Sequence, residues 1–311
     1  MTIFRRVALL GALLGPSSLT KLLNANFTVT VLIRSVSSVS SLPPGADLKQ
    51  VDYSSTESLK TALAGHDIVI STLSPSAIPL QKPAIDAAIA VGVKRFIPAE
   101  YGAMSSDPVG TKLPFHKDAM ETPEYLQQTA AAGLVEYTVF EVGVFTELLF
   151  TTTLVVDLDH REVRLYGGGI HPFSTSRLET VATAVVASLH KPDDTRNWVI
   201  RVHDAVLTQR ELLDMAKGWT PALEWKEAYV DAQAEVEKSL KQLEKEFTPA
   251  LVPGVFAAAF MSGRYGAEYK EVDNELLGLG FMGKSEIDEL ERNSRIKVLV
   301  ASFEKTNSKE R

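Results

Sequence analysis

The sequence predicts an α/β protein, a doubly wound parallel sheet with helices on both faces, accompanied by a smaller α+β lobe. Two observations carry the prediction. From about residue 5 to residue 142, short apolar, β-branched runs alternate with segments of helical period, the pattern of strands joined by helical crossovers. A chain of 311 residues, 45% of them hydrophobic, holds about two domains on the usual soft prior and has apolar material for both cores. The alternation loses regularity after Gly143, which divides the chain into 1–143, the sheet domain, and 144–311, the smaller lobe; about 176–203 is expected to return to the sheet.

Each element has its own warrant. Val7 to Leu10 is uniformly apolar and reads as the first strand, with Pro16 suited to a first helical turn and Leu19, Leu22 and Leu23 on one helical face. Phe27 to Ile33 is the second strand and Leu48 to Val51 the third. Ser55 to Leu63 is a helix, Asp67 to Thr72 the fourth strand, and Pro79 to Val91 a helix with Ile85, Ala88 and Ile89 at core spacing. Val93 to Pro98 is the fifth strand. Beyond a polar loop from Ser105 to Lys112, a helix is expected from Pro123 to Ala132 and a sixth strand from Tyr137 to Glu141. Ser176 to Leu189 reads as a helix, Asn197 to Val202 as a strand, and Ala232 to Phe247 as a solvated amphipathic helix.

Composition excludes several functions. With 32 Lys and Arg against 39 Asp and Glu, the net charge of −7 disfavours nucleic acid and anionic membrane surfaces as partners. The absence of cysteine removes disulfides, a thiol nucleophile and zinc-thiolate sites. The histidines (66, 116, 160, 171, 190 and 203) never fall at metal-binding spacing, so no metal site is expected. Arg5 and Arg6 before an apolar run of about eight residues imitate a signal peptide but also read as a first strand, and the run is far shorter than the roughly 20 residues of a spanning helix. The strand reading is taken, and with it a cytoplasmic protein.

Among sequence motifs, the literal G-x-G-x-x-G at Gly278–Gly283 is set aside as a turn, because no strand leads into it and no βαβ unit surrounds it. The better phosphate-loop candidate is Gly11 to Gly15, between the first strand and a helix, although two leucines stand between its glycines. Arg34 follows the second strand, where an acidic residue would receive ribose hydroxyls; a guanidinium there suits a 2′-phosphate, or is a solvated strand-end arginine. No tyrosine is followed by lysine four residues later, and G-x-S-x-G is absent. The remaining chemistry lies beyond the fifth strand, at Glu100, Tyr101 and Lys117, because the carboxyl edge of such a sheet holds the site. On position alone Lys117 is catalytic or merely a surface lysine.

Taken together, Thr28-Val29-Thr30-Val31-Leu32-Ile33-Arg34, Gln81 with Ile85-Asp86-Ala87-Ala88, Gly92 through Gly102, Pro172-Phe173-Ser174 and Asn274-Glu275-Leu276-Leu277-Gly278 resemble the NmrA-like group of atypical short-chain dehydrogenases, its fungal branch most of all. That group includes isoflavone reductase and phenylcoumaran benzylic ether reductase. The resemblance spans roughly residues 5 to 285 and departs at Ala99, where the family usually has serine.

The resemblance implies a Rossmann-type NADP(H)-binding domain with a substrate lobe, and Lys117 as the catalytic acid/base. It implies Gly11, Gly15, Arg34, Ser35, Asp52, Thr72, Leu73, Glu100 and Tyr101 on the cofactor side, and Phe145, Phe150 and His171 as pocket lining. The expected activity is NADPH-dependent reduction of an aromatic or polyketide-like small molecule in secondary metabolism, by a monomer or homodimer. The glycine turn, two residues shorter than the family's and lacking its middle glycine, keeps two alternatives open: a non-redox cyclase or isomerase, and a dinucleotide-sensing regulator.

Overall fold

Strand β1 (Arg6–Gly11) lies inside the main sheet because Val7 to Leu10 are apolar on both faces, and both faces are covered. This computed structural model describes residues 3–11, 15–35, 42–105, 107–113, 117–221, 223–245, 251–290 and 292. After β1 come α1 (Gly15–Asn24), β2 (Thr28–Ile33), β3 (Ala46–Gln50), α2 (Thr56–Leu63), β4 (Ile68–Thr72), α3 (Gln81–Ala90), β5 (Arg95–Ile97), α4 (Lys117–Ala131) and β6 (Glu136–Glu141). The chain continues through β7 (Val144–Phe145), α5 (Thr146–Thr151), β8 (Glu162–Tyr166), β9 (Pro172–Ser176), α6 (Leu178–His190) and β10 (Trp198–Arg201). It then forms β11 (Ala205–Thr208), α7 (Gln209–Trp219), β12 (Lys226–Val230), α8 (Ala232–Lys245) and α9 (Val252–Phe260).

Among the described residues, seven strands form the main sheet in the order β10-β6-β5-β4-β1-β2-β3, and every pair is parallel. The strand order reverses at β1 and β4, which opens a crevice at their carboxyl ends, the usual ligand position in such sheets. Strand β3 closes one edge with the exposed polar residues Asp47, Lys49 and Gln50, a composition that discourages edge-to-edge pairing. At the other end, β10 pairs with β6, so the chain returns to the sheet after building β7 to β9.

Local chemistry fixes the element ends. The Ser55 side chain accepts from the Ser58 N–H and caps α2, while Thr208 and Glu211 form a reciprocal capping box at the start of α7. Buried Arg95 donates to Glu136 at 2.7 Å, to the Pro192 carbonyl at 2.6 Å and to the Thr195 hydroxyl at 3.0 Å. It thereby fastens the amino end of β5 to the turn between α6 and β10.

Several expected boundaries move. The helix expected from Pro123 begins at Lys117, and the proline lies inside it; Thr122, Pro123 and Leu126 are buried on one face, and that packing carries the helix through the missing N–H. The helix expected from Pro79 begins at Gln81, after a 3-10 run at Pro75–Leu80, because Pro79 and Pro83 cannot donate the bonds of a continuous α pattern. Ser176 ends a strand rather than starting a helix, its hydroxyl donating to the Val142 carbonyl at 2.7 Å.

A second core forms from β7 with β9 and β11, from β8 paired parallel with β12, and from α7, α8 and α9. Phe173, Leu212 and Phe260 lie at its centre, and Ala103, Met104 and Leu113 join it from the segment that leaves β5. The chain passes from the main sheet to this core at Gly143. Its φ is +70°, and a Cβ there would stand 2.1 Å from the Ser174 carbonyl oxygen, so only glycine lets the two backbones cross this closely.

Candidate active site

The carboxyl ends of β2 and β3 border a cleft of about 350 Å³, lined by Arg34, Gln50, Val51, Asp52, Tyr53, Ser54 and Leu80. The sheet register explains the assembly: Ile33 pairs with Gln50, so the residues that follow each strand emerge side by side. Arg34 is exposed at the rim. The Asp52 carboxylate accepts from the Ser54 hydroxyl at 2.6 Å and from its N–H at 2.9 Å, and these bonds hold its pKa below the ordinary value. Tyr53 turns inward and donates to the Leu32 carbonyl at 3.0 Å; burial pushes its pKa up to about 12, against the opposing pull of the Gly11 backbone and the Arg34 charge.

Gly11 ends β1 in the left-handed region, with φ +79°, and a Cβ there would come within 2.8 Å of the Thr72 carbonyl oxygen. Gly11 and Thr72 are register partners, so the phosphate-loop candidate and the end of β4 meet at the crevice. The Thr72 hydroxyl is committed to the Leu10 carbonyl at 2.9 Å and buried, and Leu73 is buried beside it. The Thr72 hydroxyl is therefore not available to a ligand. Gly15 opens α1, while residues 12–14 lie outside the described residues.

The expected residues beyond β5 separate into two environments. Lys117 is the first residue of α4; its side chain, like that of Phe150 in α5, lies outside the described residues. Glu100 and Tyr101 are interior instead of facing the cleft. The Tyr101 ring stacks on Phe140, and burial drives its hydroxyl pKa upward. Burial likewise raises the Glu100 carboxyl to about 7, opposed by a hydrogen bond with Ser105 and reinforced by the charge of Glu141. Gln81 secures this strand end by accepting from the Ala99 N–H at 2.7 Å.

Ser105 donates to Glu141 at 3.3 Å, and Glu141 accepts from Arg201 at 3.0 Å. To reach Ser105 the chain holds Met104, 1% exposed, at φ +67°, a conformation that costs a non-glycine residue about 1–3 kcal/mol. Tyr269 reaches in from the segment that follows α9, donating to the Gly102 carbonyl and accepting from the Gly143 N–H, each at 3.2 Å.

The sequence alone brings out neither the cleft residues Gln50, Tyr53 and Leu80 nor the interior group of Ser105, Glu141, Arg201 and Tyr269. Glu141 carries a readable signal, an acidic residue closing an otherwise apolar strand; Ser105 and Tyr269 carry none. Two expected pocket residues stand apart from the cleft. Phe145, in β7, packs against the main core, and the His171 ring lies against Gly167 and Gly263. Ser35 follows Arg34 and is exposed. Among the described residues no group of His, Asp and Glu is placed to hold a metal, and no helix is long and apolar enough to cross a membrane.

A parallel sheet ordered around a β1/β4 crevice, with a cleft at the end of β2 that carries an exposed guanidinium, defines a Rossmann-type dinucleotide-binding protein. Residues 14–192 match the family described as NAD(P)H-binding, and the chain belongs to that family. It is 31% identical over 267 residues to the oxidoreductase aprR of Aspergillus flavus, covering 84% of this chain and 89% of the relative. Its fold superposes on an isoflavone reductase with a TM-score of 0.71 at 20% identity, covering 91% of this chain and 98% of the other. It superposes equally on a leucoanthocyanidin reductase from Vitis vinifera, TM-score 0.71 at 19% identity, covering 92% and 99%. The chain is an NAD(P)H-dependent oxidoreductase that shares the fold of isoflavone reductase.

The residues present fit such a cofactor. The cleft combines an exposed guanidinium for phosphate with apolar walls from Val51 and Leu80 for a base, and it opens next to the crevice where β1 passes to α1.

Proposed function

We propose that this oxidoreductase prefers NADPH and reduces a conjugated aromatic or polyketide-like small molecule, as part of secondary metabolism, with Lys117 as acid/base. The observation that carries the cofactor choice is Arg34 at the rim of the cleft, where a guanidinium matches a 2′-phosphate and an acidic residue would repel it. Asp52 and Leu80 would border the adenosine, and Gly11 with the Thr72 backbone would face the diphosphate. When bound, the reduced nicotinamide supplies the reducing equivalents.

Lys117 would then hold or deliver the proton that the substrate oxygen gains. Support for this role is positional: α4 follows β5 and leads into the parallel strand β6, so its first residue lies toward the carboxyl edge of the sheet. The assignment of cofactor binding to 1–143 and of substrate contact to 144–311, with Phe145, Phe150 and His171 on the substrate side, belongs to the same proposal.

The test is a titration of the purified protein with NADPH and NADH, followed by NADPH oxidation against a panel of aromatic enones and naphthoquinones with the product masses measured. The reading requires NADPH to bind more tightly by about tenfold or more, the scale of one charge-assisted phosphate contact, and products heavier by two hydrogens. Equal affinities, or conversion without a mass change, would overturn it.

A further inference from the structure

The interior group at the ends of β5 and β6 takes no part in the mechanism above, yet it joins the strand that ends at the site to the segment leading to Lys117. Glu100 and Glu141 are both buried and share one hydroxyl, that of Ser105. Arg201 satisfies the other oxygen of Glu141. The Ser105 hydroxyl has a single proton for two carboxyls: it donates to Glu141 at 3.3 Å, and its hydrogen bond with Glu100 opposes the upward push of burial on that carboxyl. One hydroxyl proton cannot serve two ionised carboxylates at once, so all three groups are satisfied together only when one carboxyl carries a proton of its own, and Glu100, whose pKa burial raises, is the one to hold it.

We propose that Glu100, linked through Ser105 to Glu141, is a positioning residue for the reduction, holding the chain from Pro98 to Ser105 in the arrangement from which the segment to Lys117 departs. The proposal rests on the reading of Lys117 as the acid/base. Its geometry is built at a cost, since Met104 is held left-handed immediately before Ser105. The groups around Glu100 are Glu141 from β6, Arg201 from β10, Ser105 from its own loop, and Tyr269, whose hydroxyl binds the Gly102 carbonyl and lies within electrostatic reach of both carboxyls. Loss of the Glu100 proton to solvent leaves two carboxylates facing one hydroxyl proton, and the link between Pro98 and Ser105 loosens. The titration near neutral pH expected for Glu100 places that loosening in an accessible range.

The test is amide hydrogen exchange of peptides covering 98–113, corrected for intrinsic base catalysis, in the full-length wild type and in Glu100→Gln, whose amide keeps a donor at all pH values. Between about pH 6 and about pH 8 the wild type should lose about fivefold or more of its protection there, and Glu100→Gln should lose none. Ser105→Ala should be as unprotected at pH 6 as the wild type at pH 8. Protection independent of pH in the wild type, or a loss in Glu100→Gln that matches it, would overturn the proposal. Lys117→Ala separates the two readings: normal turnover with the exchange pattern intact removes the Lys117 assignment and leaves the carboxyl link standing, whereas the reverse pair of results removes only the link.

Discussion

The Tyr269 hydroxyl donates to the Gly102 carbonyl at 3.2 Å, so a residue from the segment after α9 closes the end of the strand that leads into the site. The same oxygen accepts from the Gly143 N–H, at the point where the chain leaves the main sheet. Gly102 has a second partner, the Val142 N–H at 3.2 Å, whereas Gly143 depends on the tyrosine. Tyr269→Phe should therefore destabilise the protein by about 1–3 kcal/mol, the cost of a buried donor left unpaired. Chemical denaturation of the two proteins measures it, and no change would mean that Gly143 finds another acceptor.

Arg34→Asp should weaken NADPH by about tenfold or more while leaving NADH within about twofold, because it exchanges a phosphate-matching cation for a repelling carboxylate. Paired fluorescence titrations read this directly. Equal losses for the two nucleotides would assign Arg34 a structural role.

Lys117→Ala should lower turnover by about 10²-fold or more, as the loss of a general acid/base does, with NADPH affinity unchanged. The comparison of kcat with the dinucleotide dissociation constant decides it. A parallel fall in affinity would make the lysine a cofactor-binding residue.

Glu100 gives stability a defined pH dependence. Its folded pKa, about 7, lies above the ordinary 4.5, so the folded state holds a proton that the unfolded chain has released. The stabilisation is complete below about pH 4.5 and is lost as the pH rises to about 7, at up to about 1.4 kcal/mol per pH unit. Glu100→Gln should show no such decline over this window, and the difference between the two stability profiles isolates Glu100 from carboxylates such as Asp67, whose lowered pKa acts at more acidic pH.

Arg95→Ala should cost about 3–5 kcal/mol, because it leaves Glu136 with only its 3.8 Å contact to Arg196, opens the buried bonds to Pro192 and Thr195 and empties the space of a fully buried side chain. Arg95 lies at the amino end of β5, opposite the cleft, so NADPH affinity of the folded variant should stay within about twofold of wild type. Thermal unfolding and nucleotide titration together test that separation.

Much of the architecture was determined by the sequence by itself. Uniformly apolar runs such as Val7 to Leu10 have no stable place except a strand covered on both faces, and the helical segments between them force parallel connections. The place of Arg34 at the rim of the cleft is legible because its position, one step beyond the second strand, follows from strand length alone. Tertiary structure decided what local propensity could not. Pro123 lies inside a helix because packing around Leu126 outweighs one missing hydrogen bond, and Ser176 stays extended because its hydroxyl meets the Val142 carbonyl from a distant part of the chain. Tyr53 and Leu80 form one cleft wall only after β3 and the turn before α3 are brought together. Glu100 reads in the sequence as a cofactor-side group beyond the fifth strand; its proton depends on Ser105, Glu141 and Tyr269, whose convergence is set by long-range packing, and charge states in a low-dielectric interior depend on neighbours in space rather than in sequence.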